Sequence, residues 1–118
     1  MQYLKNIEHE KVLKLAQEVA AAPGQVVSRT LAQNAHVSVT LFAFSKGEEI
    51  STHESSGDAM VLVLEGRAQL TVAGEKYLCG PGECVVMPAG KPHAVYAPED
   101  FKMLLTVVFP GAEAERDV

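Results

Sequence analysis

Residues 47–66, GEEISTHESSGDAMVLVLEG, decide the fold of this chain. A glycine opens the stretch, His53 and a polar turn follow, and a strongly apolar strand ends at Gly66. A second stretch, residues 82–93 (GECVVMPAGKPH), again carries a glycine near its start and a histidine at its end. The functional interpretation therefore depends on whether His53 and His93 meet in the folded chain.

Short strands separated by turn residues extend outward from these two stretches. Their β-branched and aromatic content, bounded by Gly, Pro, Asn and Asp, is typical of strands. The predicted strands are 26–32, 36–44, 50–54, 59–64, 67–72, 75–78, 84–87, 93–97 and 101–109. No long helical run separates them, so we expect antiparallel pairing in an all-β sandwich or barrel, and a jelly roll would protect the sheet edges.

The N-terminal segment has a different pattern. Apolar residues such as Ile7, Leu15 and Val19 recur at helical spacing, and Pro23-Gly24 follows as a stop signal. We therefore expect a helix over residues 6–22, within a helical arm (1–24) that precedes a barrel domain (25–110). The charged tail, residues 111–118, is expected to fray.

Composition excludes several classes of function. The chain has 118 residues, of which 47% are hydrophobic, so one globular domain is expected. A net charge of −5 argues against nucleic acid or an anionic membrane surface as a partner. Two cysteines outside a CxxC pattern do not predict a disulfide scaffold or a zinc knuckle. Without an apolar signal-peptide core or a membrane-length apolar run, a cytoplasmic location is expected.

Three predicted strands are apolar at nearly every position. They are MVLVL (60–64), CVVM (84–87) and MLLTVVF (103–109). An antiparallel strand with one wet face should instead alternate apolar with polar residues. The barrel interior would cover one face, and the N-terminal helix or a second subunit would cover the other. We therefore expect a homodimer.

The two stretches resemble the paired motifs of the cupin family, specifically the small RmlC-like proteins. In the first family motif, a glycine and five residues precede His-x-His, with a glutamate and a closing glycine further on. Gly47, His53 and Gly66 match this pattern. The second motif is matched at every fixed position, by Gly82, Pro88, Gly90 and His93. The resemblance spans roughly residues 25–109 and implies a jelly-roll β-barrel whose mouth is lined by both motifs.

The resemblance also implies where a metal would bind, and the chain departs from the pattern there. His53 and His93 fill two ligand positions for a divalent ion such as Zn, Fe, Mn or Ni. The second histidine of the first motif falls on Ser55, and the glutamate falls on Ala59. Since transition-metal sites normally take three or four protein ligands, a reduced metal centre and a metal-free pocket both remain open. Asp58 or Glu54 could join only if the loop is irregular.

Strand parity predicts the remaining wall of the pocket. Val61 shares the face of Ala59, and together with Ser55 and Met87 these side chains are expected to line a partly apolar pocket. Its ligand should be a small molecule, partly apolar, that offers hydrogen-bond acceptors to the histidines.

Three functions follow, and the sequence leaves them open. The first is a small-molecule-binding protein, non-catalytic or regulatory, for which no catalytic residue is predicted. The second is a metal-dependent enzyme (a dioxygenase, isomerase or cyclase) acting on a small carbonyl compound. The third is a structural dimeric module, in which the histidines contribute only to local stability.

Overall fold

The structure of the chain, a computed structural model, describes residues 2–111. Each of the nine predicted strands is present, with ends within one residue of the predicted ones. The strands are β1 (Val26–Gln33), β2 (Val37–Phe44), β3 (Glu49–His53), β4 (Asp58–Glu65), β5 (Ala68–Val72), β6 (Glu75–Cys79), β7 (Cys84–Met87), β8 (His93–Tyr96) and β9 (Phe101–Val108). The tail from Ala112 onward, which was expected to fray, lies outside the described residues.

The strands form two antiparallel sheets that face each other. One sheet has five strands in the order β1-β2-β9-β4-β7, and the other has four in the order β3-β8-β5-β6. The chain crosses repeatedly between the sheets, as in a jelly roll, so the predicted all-β barrel is confirmed. Fully buried side chains from both inner faces form the core, and the rings of Phe44 and Phe101 stack there with centroids 4.6 Å apart.

The apolar strands alternate in burial although they do not alternate in sequence. On β4, Val61 and Val63 are fully buried against the opposite sheet. On the outer face Met60 is 41% exposed, and its cross-strand neighbour Val86 on β7 is 55% exposed. One apolar face of these strands therefore builds the core, while part of the other face stays open to solvent in the single chain.

The predicted helix over residues 6–22 is wrong in extent. A single 3-10 turn, Leu15–Gln17, is the helical element of residues 2–111, and none there is long and apolar enough to cross a membrane. Asn6 and Glu10 adopt positive φ angles of 59° and 56°, which interrupt a right-handed helix. Hydrogen bonds to β1 replace the helical ones, since Lys5 N donates to the Leu31 carbonyl at 2.7 Å.

The N-terminal segment still covers part of the five-stranded sheet, as the predicted arm would. Its apolar side chains Ile7, Leu15 and Val19 pack against Leu41 and neighbouring side chains on the outer face. Nζ of Lys102 on β9 donates to the Ala16 carbonyl at 2.6 Å and ties the segment to the sheet. Tertiary contacts of this kind override the weak helical preference of a short segment.

Candidate functional site

Two neighbouring strands of the four-stranded sheet bring the predicted histidines together. His53 ends β3 and His93 begins β8, and the two are register partners after an irregularity between Ile50 and His53. Their Nε2 atoms lie 3.1 Å apart. The rings meet edge to face, with centroids 4.3 Å apart and an interplanar angle of 73°.

Backbone carbonyls fix the orientation of both rings. Nδ1 of His53 lies 2.9 Å from the Ser51 carbonyl oxygen, and Nδ1 of His93 lies 3.1 Å from the Lys91 carbonyl oxygen. A carbonyl oxygen can only accept, so each Nδ1 carries the hydrogen and donates it. The two Nε2 atoms are therefore left facing each other across the site.

The environment of His93 favours its neutral form. Its side chain is buried, at 3% exposure, whereas His53 is exposed. Burial lowers the pKa of His93 below the ordinary histidine value, and the nearby charge of His53 lowers it further. The Lys91 carbonyl and the Glu54 carboxylate oppose this shift without reversing it. His93 is consequently neutral at pH 7.

The histidine pair lies on the wall of a cavity of about 370 Å³ between the sheets. Most of the wall is aliphatic or thioether in character. The lining residues are Ile50, His53, Glu54, Ser55, Ser56, Ala59, Val61, Met87, His93, Val95, Met103, Leu105 and Val107. This set includes the four side chains for which a pocket position was predicted, namely Ser55, Ala59, Val61 and Met87. A monocyclic organic molecule suits a space of this size and polarity.

The register of β4 decides which residue stands where the first motif has its glutamate. Ala59 is buried at 2% exposure and faces the cavity, whereas Asp58 is exposed. Oδ1 of Asp58 accepts a hydrogen bond from Ala89 N at 2.8 Å, which ties the start of β4 to the turn after β7. A methyl group therefore occupies the wall at the glutamate position, and Asp58 serves as a link between loops.

Ser55 stands in a loop that is held by backbone contacts. Its Oγ accepts from Gly57 N at 3.2 Å, and its carbonyl accepts from Gly90 N at 2.9 Å. The second contact joins the two motif stretches at the cavity mouth.

The donor set can hold a cation through two nitrogens. Within residues 2–111 no group of three or more His, Cys, Asp or Glu side chains is placed to bind a metal ion. The Nε2 atoms of His53 and His93, 3.1 Å apart, are close enough for both to bind one ion. Water or ligand atoms would have to complete the coordination of such an ion.

Several wall residues were missed by sequence reasoning. Met103, Leu105 and Val107 lie on alternate positions of β9, so the parity argument used for β4 would have found them. Glu54 and Ser56 lie in the irregular connection between β3 and β4, where no periodicity indicates direction.

Two aromatic or imidazole side chains, Tyr96 and His36, lie outside the site. Tyr96 is 38% exposed while its neighbour Val95 is buried, as strand parity predicts. His36 is exposed beside Asn34, whose Oδ1 accepts from the His36 backbone N–H at 2.8 Å. Neither side chain lines the cavity.

Comparisons with known proteins agree with this fold. A conserved protein of unknown function from Streptococcus pyogenes is 52% identical, with 95% of this chain and 98% of that chain covered and a TM-score of 0.92. A cupin superfamily protein from Desulfitobacterium hafniense is 37% identical, with 91% and 98% covered and a TM-score of 0.86. No curated protein matches the chain.

A family model matches the region that contains both motifs. The model describes the cupin domain, and the match spans residues 40–109, from the second strand to the end of the last. This region is more than half of the 118 residues and includes His53 and His93. The chain belongs to the cupin family.

Proposed function

We propose that this chain binds a small, partly apolar molecule inside the barrel through His53 and His93, in a non-catalytic or regulatory role. One observation carries the proposal. The two Nε2 atoms converge to 3.1 Å on the wall of an apolar cavity large enough for a single-ring compound. The apolar wall would bind the body of the ligand, and the histidines would fix its orientation.

The hydrogen bonds of the site support binding over acid–base catalysis. A catalytic histidine is commonly oriented by a carboxylate that stabilises its charged form. Here Nδ1 of both histidines pairs with a neutral backbone carbonyl instead. Ser55 is not placed as a nucleophile, because its Oγ accepts from Gly57 N and no hydrogen bond joins it to either histidine in the described part of the chain.

A thermal-stability screen against a library of small metabolites tests this proposal. A ligand that binds the folded chain raises the melting temperature by mass action. We expect a hit whose stabilising effect is lost in His53→Ala and His93→Ala and kept in His36→Ala, since His36 is exposed and lies outside the cavity. A hit that stabilises all the variants equally would favour the structural module, and enzymatic turnover of the hit would refute the non-catalytic role.

A metal-dependent cupin enzyme acting on a small carbonyl compound is the second candidate. The spacing of the two Nε2 atoms favours it, as do the Nδ1–H donations to backbone carbonyls, which commonly orient metal-binding histidines. His53 and His93 would hold a Zn, Fe, Mn or Ni ion. Such an ion would act as a Lewis acid, with open positions for substrate.

Elemental analysis of protein purified without a histidine tag tests the metal site. If the site binds an ion, we expect stoichiometric metal in the wild type and its loss in His53→Ala. The absence of metal from both proteins would contradict this candidate and leave the metal-free pocket.

We further propose that the chain forms a homodimer through the open part of the five-stranded sheet. Val86, Met60 and Thr106 are cross-strand neighbours there, and this row contains no charged side chain. Two copies that each carry a net charge of −5 repel, so a charge-free apolar strip is the part of the surface where they can approach. Val108, which is 59% exposed, extends the strip up to its charged cross-strand neighbour Asp58.

A further inference from the structure

The hydrogen-bond polarity of the histidine pair restricts the ligand of the proposed pocket. This restriction rests on the proposed binding function and adds the chemical class of the ligand. Because Nδ1 of His53 and Nδ1 of His93 both donate to backbone carbonyls, neither neutral ring has a second hydrogen to give. Both Nε2 atoms therefore present lone pairs.

The two lone pairs meet at one place on the cavity wall. The Nε2 atoms are 3.1 Å apart, and in neutral rings neither can donate to the other. Two lone pairs this close repel each other, and Nε2 of His93 belongs to a buried side chain, so a donor from outside the chain would stabilise the pair. This polarity is the reverse of the expectation from the sequence, in which the ligand offers acceptors to the histidines.

The rest of the wall reinforces this preference. Among residues 2–111, no lysine or arginine lines the cavity, while Glu54 contributes a carboxylate and Ser55 and Ser56 contribute hydroxyl groups. An anionic ligand would leave water without finding a cationic side chain, which is costly. The aliphatic and thioether surfaces of Val61, Met87 and the other lining residues suit a hydrocarbon body.

We infer that the ligand is a small uncharged molecule with a hydrocarbon body and a hydroxyl group, such as an alcohol, phenol or enol. The hydroxyl group donates its one hydrogen to Nε2 of His53 or His93, and the body lies against the apolar wall. A ligand hydroxyl can take the place of a donating water at one of the two Nε2 atoms. Selectivity arises because a ligand that displaces this water without donating leaves the acceptors unpaired.

Four single-ring probes of similar size test this inference. Phenol can donate, anisole and toluene cannot, and benzoate is an anion. Binding is followed by the methyl resonances of ¹³C-labelled methionine, since Met87 and Met103 line the cavity while Met60 lies on the outer face as an internal control. The protein is treated with a chelator and kept at pH 8, above the ordinary histidine pKa of about 6.5.

We expect phenol to shift the Met87 and Met103 signals without moving Met60. Its Kd should be at least about fivefold lower than that of anisole, the difference made by one hydrogen bond of about 1 kcal/mol. In His53→Leu/His93→Leu, which keeps the wall apolar and removes both acceptors, phenol should lose this advantage over anisole.

The other outcomes separate the inference from the proposed function. If anisole or toluene shifts the two cavity methionines as strongly as phenol, the cavity binds ligands but the donor rule is wrong. If benzoate binds best, the pair carries a positive charge and the inference is overturned. Benzoate binding that appears only after zinc is added would overturn it in favour of the metal site. If none of the probes shifts Met87 or Met103, both the inference and the binding proposal are contradicted.

Discussion

At the scale of single residues, the site depends on which of two neighbouring side chains, Asp58 or Ala59, points into the cavity. The spacing of the motif glycines and histidines was enough to predict that His53 and His93 share a pocket wall with Ala59. The direction of Asp58 could not be predicted, because the turn before β4 is irregular and parity cannot be carried through it. The structure resolves it through the hydrogen bond from Ala89 N to Asp58 Oδ1.

The lowered pKa of His93 predicts how stability depends on pH. In the folded state burial disfavours the charged imidazole, whereas the unfolded chain protonates it near the ordinary value of about 6.5. Below that value the unfolded state binds more protons, so the free energy of unfolding should fall as the pH drops from about 6.5 to the lowered folded-state pKa.

Urea denaturation between pH 5 and pH 8 measures this effect. We expect a smaller loss of stability over this range in His93→Gln, whose side chain does not titrate. An identical pH dependence in wild type and variant would show that His93 does not contribute to it. His36→Gln, at an exposed position, is the matched control.

At the scale of elements, the strands could be predicted from the turn residues that bound them. The conformation of the N-terminal segment could not be predicted in this way. Every strand is bounded by residues that favour turns, and this local signal placed each strand end closely. The segment over residues 6–22 has helical spacing, but its conformation is set by distant partners. Lys5 and Asn6 bind the backbone of β1, and the apolar side chains pack on the sheet. Such contacts are not visible in a short window of sequence.

The turn between β4 and β5 requires glycine for two reasons. Gly66 has a φ of 72°, and a Cβ there would collide with the Asp100 carbonyl oxygen and approach Cα of Phe101 to 2.9 Å. Gly47 also has a positive φ, 89°, but a Cβ there would meet nothing within 4 Å. The two motif glycines therefore differ only in the space around them.

We expect Gly66→Ala to destabilise the chain by at least about 2 kcal/mol more than Gly47→Ala. Both variants carry the backbone strain of positive φ, and only the first adds a collision with backbone atoms. Chemical denaturation of the two variants beside wild type gives the difference. Equal destabilisation would mean that the chain near Asp100 moves aside without cost.

At the scale of the whole molecule, the outer face of the five-stranded sheet is the feature that a single chain leaves incomplete. The N-terminal segment covers part of this face and leaves Met60, Val86 and Val108 exposed. The non-alternating strands indicated two covered faces, and the sequence alone could not say which part of the face the N-terminal segment would leave open. In the proposed dimer, a second copy of the chain covers this exposed part of the outer face.

Light scattering at micromolar concentration tests the dimer. We expect wild type to be dimeric and Val86→Glu to be monomeric, because a buried carboxylate without a partner is costly. Leu78→Glu is the matched control, since Leu78 is 58% exposed, close to the 55% of Val86, and lies on β6 of the other sheet. A monomeric wild type, or dissociation of both variants, would contradict the proposed interface.

The cavity is also a feature of the whole molecule, because residues from both sheets meet there. The most direct test is the Kd of a ligand found by the stability screen, measured by calorimetry for wild type, the double variant His53→Ala/His93→Ala, and His36→Ala. We expect the double variant to bind at least about tenfold more weakly, through loss of hydrogen bonds that orient the ligand, and His36→Ala to bind as wild type does. An unchanged Kd in the double variant would contradict the claim that the histidine pair holds the ligand.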